Sequence, residues 1–317
     1  AELGCLGIIP DGAVLIRDGL IQAVGSSADL RAAYPYEVEL DAGGMCALPG
    51  FIDPHTHLVW MGDRATEFEM RLQGKTYMEI LAAGGGILST VVETRLASPA
   101  ELLGQSRERA REMFRHGTTT AEAKTGYGLN TETELRLLKT LLDLDAEGPL
   151  EILPTHLGAH AVAPEYQGYP ELYTDVICRE MLPETLNWWR TYAAGRPLPF
   201  VDVFCERAAF DLEQSRAILE TAFRLGFPLK IHADEFDNLG GASLAAELGA
   251  VSADHLVKIS PQDLATLAHS DTVAVALPCT PFGLGDPHYM PAQAILKAGG
   301  LLALASDLNP GTAWCGN

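Results

Sequence analysis

Two histidines spaced two residues apart close a short apolar run, Gly50-Phe51-Ile52-Asp53-Pro54-His55-Thr56-His57. On a β-strand that spacing turns both imidazoles to the same side. Neutral imidazoles are ligands for divalent first-row metals, and two converging from one strand end make half of such a site. A lone His-x-His is also explained by two polar residues satisfied by backbone, so the other half of the site has to come from elsewhere in the chain. A metal held by nitrogen and oxygen ligands activates water and polarises a carbonyl.

Further candidates recur at the ends of strand-like runs. His156 and His160 follow one such run, and His232 precedes Asp234 and Glu235 at the end of another. His255 and Asp307 close two more, and Lys124 leads into Gly126-Tyr127-Gly128. The runs lie near 51–57, 118–124, 151–157, 200–206, 228–233, 251–256, 272–278 and 301–306. Helix-like segments with start and stop signals separate them. Ser98-Pro99 with Glu101 opens one that Gly117 closes, Asn130 and Gly148 bracket a second, Asp211 and Gly226 a third, and Ser260-Pro261 opens a fourth. Eight β-then-α units predict a parallel (β/α)8 barrel, whose chemistry collects at the C-terminal strand ends. A doubly wound open sheet is the alternative, but it wants a glycine-rich phosphate turn where this chain has His-x-His. Before the first unit, two apolar runs around Asp18-Gly19 read as a hairpin, and Val38-Glu39-Leu40 extends a small β unit over residues 1–49.

The 317 residues carry 22 Lys and Arg against 42 Asp and Glu, a net charge of −20. Such a surface disfavours nucleic acid and anionic membrane as partners, which need clustered basic charge. No apolar run reaches the ~18–20 residues of a membrane span. The six scattered cysteines (Cys5, Cys46, Cys178, Cys205, Cys279, Cys315) form no Cys-x-x-Cys and read as reduced cytoplasmic thiols.

The strand-one His-x-His, the later strand-end histidines and the strand-eight aspartate resemble the amidohydrolase superfamily. More narrowly, Leu48 to His57, Thr125-Gly126-Tyr127-Gly128-Leu129, Leu157-Gly158-Ala159-His160, His232-Ala233-Asp234-Glu235 and Ser306-Asp307-Leu308-Asn309-Pro310-Gly311-Thr312 resemble the imidazolonepropionase family. The resemblance implies a (β/α)8 TIM barrel of the metal-dependent amidohydrolase type over 50–317, truncated after strand eight. Residues 1–49 would form a partial small β-sandwich subdomain. It implies a cytoplasmic hydrolase, a homodimer, that opens a cyclic imidazolone bearing a propanoate tail. One divalent metal, zinc or iron, is expected on His55, His57, His232 and Asp307. Asp307 doubles as acceptor of the water's proton, Glu235 shuttles a proton to the leaving nitrogen, and His255 bonds the attacking water or the oxyanion. Arg64 is the expected carboxylate clamp. Tyr127, His160, Glu235, Asn309, Gly311 and Thr312 line the rest of the substrate site.

Two residues invite stronger readings than they support. Lys124 ends strand two, not the strand four from which binuclear amidohydrolases generally take a bridging lysine, so a structural or supporting role is expected. His156 sits inside a strand and reads as a core or supporting histidine. The Trp188-Trp189 pair and the segment 166–173 read as packing or an oligomer face. Two other functions stay open on the sequence: another amidohydrolase reaction, such as nucleobase deamination or hydantoin-like ring opening, and a barrel kept as a binding module. Arg64 and Tyr127 separate the first, because a deaminase needs no carboxylate clamp.

Overall fold

The computed structural model describes residues 6–36, 38–75, 79–80 and 85–316, so Cys5 lies outside the described residues. The chain divides into two compact units, Ala1–Pro49 and Gly50–Asn317.

In the first unit, β1 (Gly12–Arg17) and β2 (Leu20–Ser26) pair antiparallel. Asp18 and Gly19 join them at φ 53° and 75°, the two left-handed residues that match the turn to strand twist. The helix Ser27–Ala33 follows, its first turn capped by the Ser26 hydroxyl, which accepts from Asp29 N. Val38-Glu39-Leu40 does not form the expected strand; Val38 and Leu40 are 86% and 91% exposed, so no sheet face covers them.

In the second unit eight strands follow in sequence order: β3 (Phe51–Thr56), β4 (Thr118–Lys124), β5 (Glu151–Ala159), β6 (Phe200–Cys205), β7 (Lys230–Ala233), β8 (Ser252–His255), β9 (Val273–Ala276) and β10 (Leu302–Leu304). Each lies parallel to the next. The ends of this sheet meet just beyond β10. Thr56 bridges Leu308 in parallel, His57 N donates to Leu308 O at 2.8 Å, and Asp307 N donates to His55 O at 3.1 Å. The seam that closes the barrel therefore brings Asp307 beside His55 and His57.

The helices start where the sequence punctuates them. Ser98 and Glu101 form a capping box ahead of Pro99–Arg115, and Asp211 and Gln214 another ahead of Leu212–Leu225, which ends at Gly226 in the left-handed region. Asn130 and Ser260 cap Thr131–Glu147 and Pro261–Ala268. These helices bury Leu137, Leu141, Ile218 and Leu219 against the outer barrel wall. Trp189 is buried in the helix Leu182–Tyr192, and Tyr166 stacks on Tyr173 at 5.4 Å, while Tyr169 and Tyr192 are exposed. Among the described residues no helix is long and apolar enough to cross a membrane, and Cys46, Cys178, Cys205 and Cys279 are free thiols.

Ser98→Ala removes an acceptor from the first turn of a 17-residue helix. It is expected to lower unfolding free energy by about 1 kcal/mol, read from the urea midpoint; an unchanged midpoint would show the cap contributes nothing.

Candidate active site

Four side chains converge at the C-terminal mouth of the barrel. The His55 and His57 Nε2 atoms lie 3.4 and 3.5 Å from Asp307 Oδ1, and His232 Nε2 lies 3.4 Å from His57 Nε2. All four residues are buried. Ligands on a tetrahedral zinc-like ion at 2.0–2.1 Å stand about 3.3–3.4 Å apart by simple geometry. The separations fit. His55 Nε2 and Asp307 Oδ1 are buried without a hydrogen-bond partner, and two imidazole nitrogens face each other at 3.4 Å, as lone pairs aimed at a common cation do. His255 with His55 and Asp307 forms an overlapping group of the same kind.

The imidazoles are aimed from behind. His55 Nδ1 lies 2.6 Å from Asp254 Oδ2, and His232 Nδ1 lies 3.0 Å from Asp202 Oδ2. A carboxylate accepts, so the His55 Nδ1 carries the proton and its Nε2 is left free for a ligand bond, while Asp202 stands at ion-pair distance behind His232. Both aspartates are themselves held by lysines inside the barrel. Lys124 Nζ donates to Asp202 Oδ2 and Glu122 Oε1, each at 2.8 Å, and Lys230 Nζ lies 3.2 Å from Asp254 Oδ2. Lys124 is fully buried among these carboxylates, which fits the supporting role expected for it. Burial by itself would raise the Asp202 carboxyl, but His232 and Lys124 outweigh it and hold it well below the usual range. Burial drives His55, His57 and His255 well below the ordinary histidine range and takes His160 down to about 3. It pushes Asp307 up to about 6.

A cavity of about 250 Å³ opens beside this cluster. Arg64, Tyr127, His160, Glu235, His255, Asn309 and Thr312 all line it. Gly311 does not. Its missing side chain instead lets Arg64 pass: a Cβ there would sit 2.2 Å from Arg64 Nη1. The Asn309 carboxamide is engaged in folding its own loop, accepting from Gly311 N and Thr312 N at 2.8 Å and donating to Asp307 O at 2.7 Å. His160 Nδ1 lies 3.0 Å from Gly126 O; the carbonyl can only accept, so Nε2 carries the lone pair. Glu235 Oε2 lies 3.7 Å from His255 Nδ1, and burial first, then Asp307 and Glu206, raise its carboxyl well above the usual range. His156 is buried beside Gly158 with neither ring nitrogen hydrogen-bonded, apart from the cavity.

Sequence reasoning missed the residues that support these groups. Glu134 accepts from Gly126 N, Gly128 N and Leu129 N and fixes the turn that carries Tyr127. Glu206 accepts from Phe236 N and Asp237 N and fixes the loop after Glu235. Thr280 donates a short hydrogen bond to Asp307 Oδ2. Glu67 and Arg71 line the cavity beside Arg64.

Residues 12–35 match the family described as imidazolonepropionase-like composite domain, bacteria. Imidazolonepropionase of Herpetosiphon aurantiacus is 49% identical over 314 residues, covering 99% of this chain and 73% of that protein. That of Chloroflexus aggregans is 50% identical over 310 residues, 97% of this chain and 73% of its own length. The chain belongs to the imidazolonepropionase family. It is a hydrolase that acts on a carbon–nitrogen bond, opening the ring of 4-imidazolone-5-propanoate to N-formimidoyl-L-glutamate in histidine degradation. Solved amidohydrolase structures share the imidazolonepropionase fold at low identity. The 5-methylcytosine deaminase of Klebsiella pneumoniae aligns with TM-score 0.64 and 16% identity over 94% of this chain and 72% of its own. The guanine deaminase of C. acetobutylicum gives 0.61 and 14% over 96% and 71%.

Two expectations follow for this imidazolonepropionase site. Asp254→Asn replaces the acceptor on His55 Nδ1 with a group that can flip and donate; metal affinity, read by chelator competition, is expected to fall roughly 10–100-fold. Unchanged affinity would show that Asp254 does not set the His55 tautomer. The second concerns pH. His55, His57, His160 and His255 have folded-state values below the unfolded one, so the unfolded chain takes up protons first as pH falls. Their contribution is present above about 6.5 and is lost below it, at up to about 1.4 kcal/mol per pH unit for each group that stays neutral. Asp307 and Asp234, each at about 6, and Glu235, raised well above the usual carboxylate range, act in the opposite sense over the same range. In metal-free Glu235→Gln protein, which lacks the most strongly raised of these carboxyls, the urea midpoint should be lower at pH 6 than at pH 7.5, and an equal or higher midpoint would refute the neutral cluster.

Proposed function

We propose that His55, His57, His232 and Asp307 hold one divalent cation, zinc or ferrous iron, and that the adjoining cavity orients 4-imidazolone-5-propanoate against it. The observation that carries this reading is the set of 3.4, 3.4 and 3.5 Å separations between buried nitrogen and oxygen atoms, beside a cavity with a guanidinium on its wall. When bound, the cation supplies Lewis acidity and a water whose pKa is lowered towards ~7. The remaining work belongs to the chain's own groups.

The carboxylate tail points to the Arg64 end of the cavity and the ring to the histidine end. His160 presents its Nε2 lone pair to a ring N–H, and Tyr127, kept as a phenol by burial, donates from the same wall. Asp307, with its carboxyl near 6, accepts a proton from the attacking water. Glu235, raised by burial and by Asp307 and Glu206, holds a proton for the ring nitrogen. The water oxygen bonds to the ring carbonyl carbon, the bond from that carbon to nitrogen breaks, and the Glu235 proton ends on the nitrogen. His255, kept neutral by burial, hydrogen-bonds the oxygen on which charge develops. Asn309 and Thr312 close the wall next to Asp307. The family resemblance supports a cytoplasmic homodimer as the working form.

The direct experiment mixes the metal-loaded chain with 4-imidazolone-5-propanoate and follows its ultraviolet band. Decay of the band is expected, with about one metal per chain and no turnover of cytosine or guanine. Glu235→Gln should slow kcat by roughly a hundredfold or more while leaving metal content unchanged. A persistent band with turnover of a nucleobase instead would overturn this assignment.

A further inference from the structure

The expected clamp, Arg64, is already occupied. Its Nε and Nη2 donate to Glu67 Oε1 and Oε2 at 2.9 and 2.6 Å, the bidentate fork that a substrate carboxylate would otherwise use. Glu67 is buried and held in place by Gly86 N, which donates to Oε1 at 2.9 Å. Its charge offsets that of Arg64. Arg64 keeps Nη1, which lies against Gly311.

Arg71 stands four residues after Glu67, on the same face of the helix Ala65–Leu72. Its Nη2 donates to Gly311 O at 2.7 Å, which fixes the guanidinium at the cavity wall. Among the described residues its buried Nε has no hydrogen-bond partner. A buried, unpaired guanidinium N–H beside a cavity is costly unless a ligand completes it. Lys75 also lines the cavity, but its side chain is 47% exposed and lies 3.7 Å from Glu79, so it is less able to bind a desolvated anion.

Resting on the reading that the propanoate tail lies at this end, we propose that Arg71 supplies the charge that binds the substrate's carboxylate, with Glu67 holding Arg64 beside it. Two guanidiniums, Arg64 and Arg71, then stand at this end against one carboxylate, Glu67, which pairs with Arg64, and a second carboxylate, the substrate's, completes the balance. The Arg71 Nε–H donates to one oxygen of the incoming carboxylate, and Arg64 Nη1 is the second donor within the same wall. Gly311 is central to this arrangement: its carbonyl positions Arg71, and its bare α-carbon admits Arg64.

The test compares two substrates of the metal-loaded enzyme: 4-imidazolone-5-propanoate, and the same imidazolone with a methyl group in place of the propanoate. In Arg71→Met, KM for the propanoate substrate is expected to rise about thirtyfold or more, with kcat changed by only a few fold. The preference for the propanoate over the methyl ring should fall by the same factor. Arg71→Lys should restore part of it. Metal content and melting temperature are measured alongside. If Arg71→Met weakens both substrates equally, or leaves the preference intact, Arg71 does not read the carboxylate and this inference is overturned. A wild-type enzyme that opens neither ring overturns the functional reading itself, and the inference with it.

Discussion

The site depends on a layer of charge buried inside the barrel, in which each carboxylate is set against a lysine. Two ammonium groups, Lys124 and Lys230, sit among three carboxylates, Glu122, Asp202 and Asp254, all buried. TIM-barrel interiors are usually filled by branched aliphatic side chains. Here the layer below the mouth is ionic, and it has a function that aliphatic residues cannot perform: it presents two fixed acceptors to the Nδ1 atoms of His55 and His232. Removing one lysine would strand a buried carboxylate, a change that typically costs about 3–5 kcal/mol. The Asp254 carboxylate also does not draw a proton onto His55. Burial works against the imidazolium of His55, and Lys124 reinforces it. Orientation and neutrality come from the same network.

Backbone strain is concentrated in the same place. Asp234, His255, Leu256 and Asp307 have φ of 53°, 78°, 56° and 53°, all at or just past strand ends around the cluster. Left-handed backbone at a residue with a Cβ costs of order 1–2 kcal/mol. The turns it creates bring side chains over the mouth of the barrel instead of along the strand. Hydrogen bonds hold these turns: Leu239 N donates to Asp234 Oδ1, and the closure of the barrel ties Asp307 N to His55 O. The site is therefore strained locally and determined by the fold around it.

Much of this was legible in the sequence for a physical reason. The strand pattern is period two and the helices carry their own caps, so the eight units and their ends can be read locally. His55, His57, His232 and Asp307 stand at strand ends, where the barrel collects chemistry, and the structure brings them together. The supporting layer was not legible in that way. Asp202, Lys230 and Asp254 are single charged residues inside short apolar runs, and their partners are on other strands. The signal was present: Lys230 precedes His232 by two, and Glu122 precedes Lys124 by two, so each pair shares an inward face. Only the closed barrel shows which charges meet. Arg71 escaped notice for a related reason. From the sequence, a helical arginine four residues after a glutamate is a surface ion pair; here the glutamate is committed to Arg64.

The two ends of the cavity have opposite electrostatic requirements, and the fold keeps them apart. At the histidine end, Asp307 and Glu235 have raised carboxyls and burial keeps His55, His57, His160 and His255 neutral, so these groups add little net charge until a cation enters. At the other end Arg64 and Arg71 exceed what Glu67 can offset. A ligand with an anionic tail and a neutral ring is oriented along that gradient before any specific bond forms, which limits the entropy lost in positioning the ring. A neutral heterocycle lacking the tail would feel no such orientation. Arg64, Glu67 and Arg71 all lie between Asp63 and Leu72, but Gly311 positions Arg71 from the loop that follows Asp307, so the two ends of the cavity are joined through that loop.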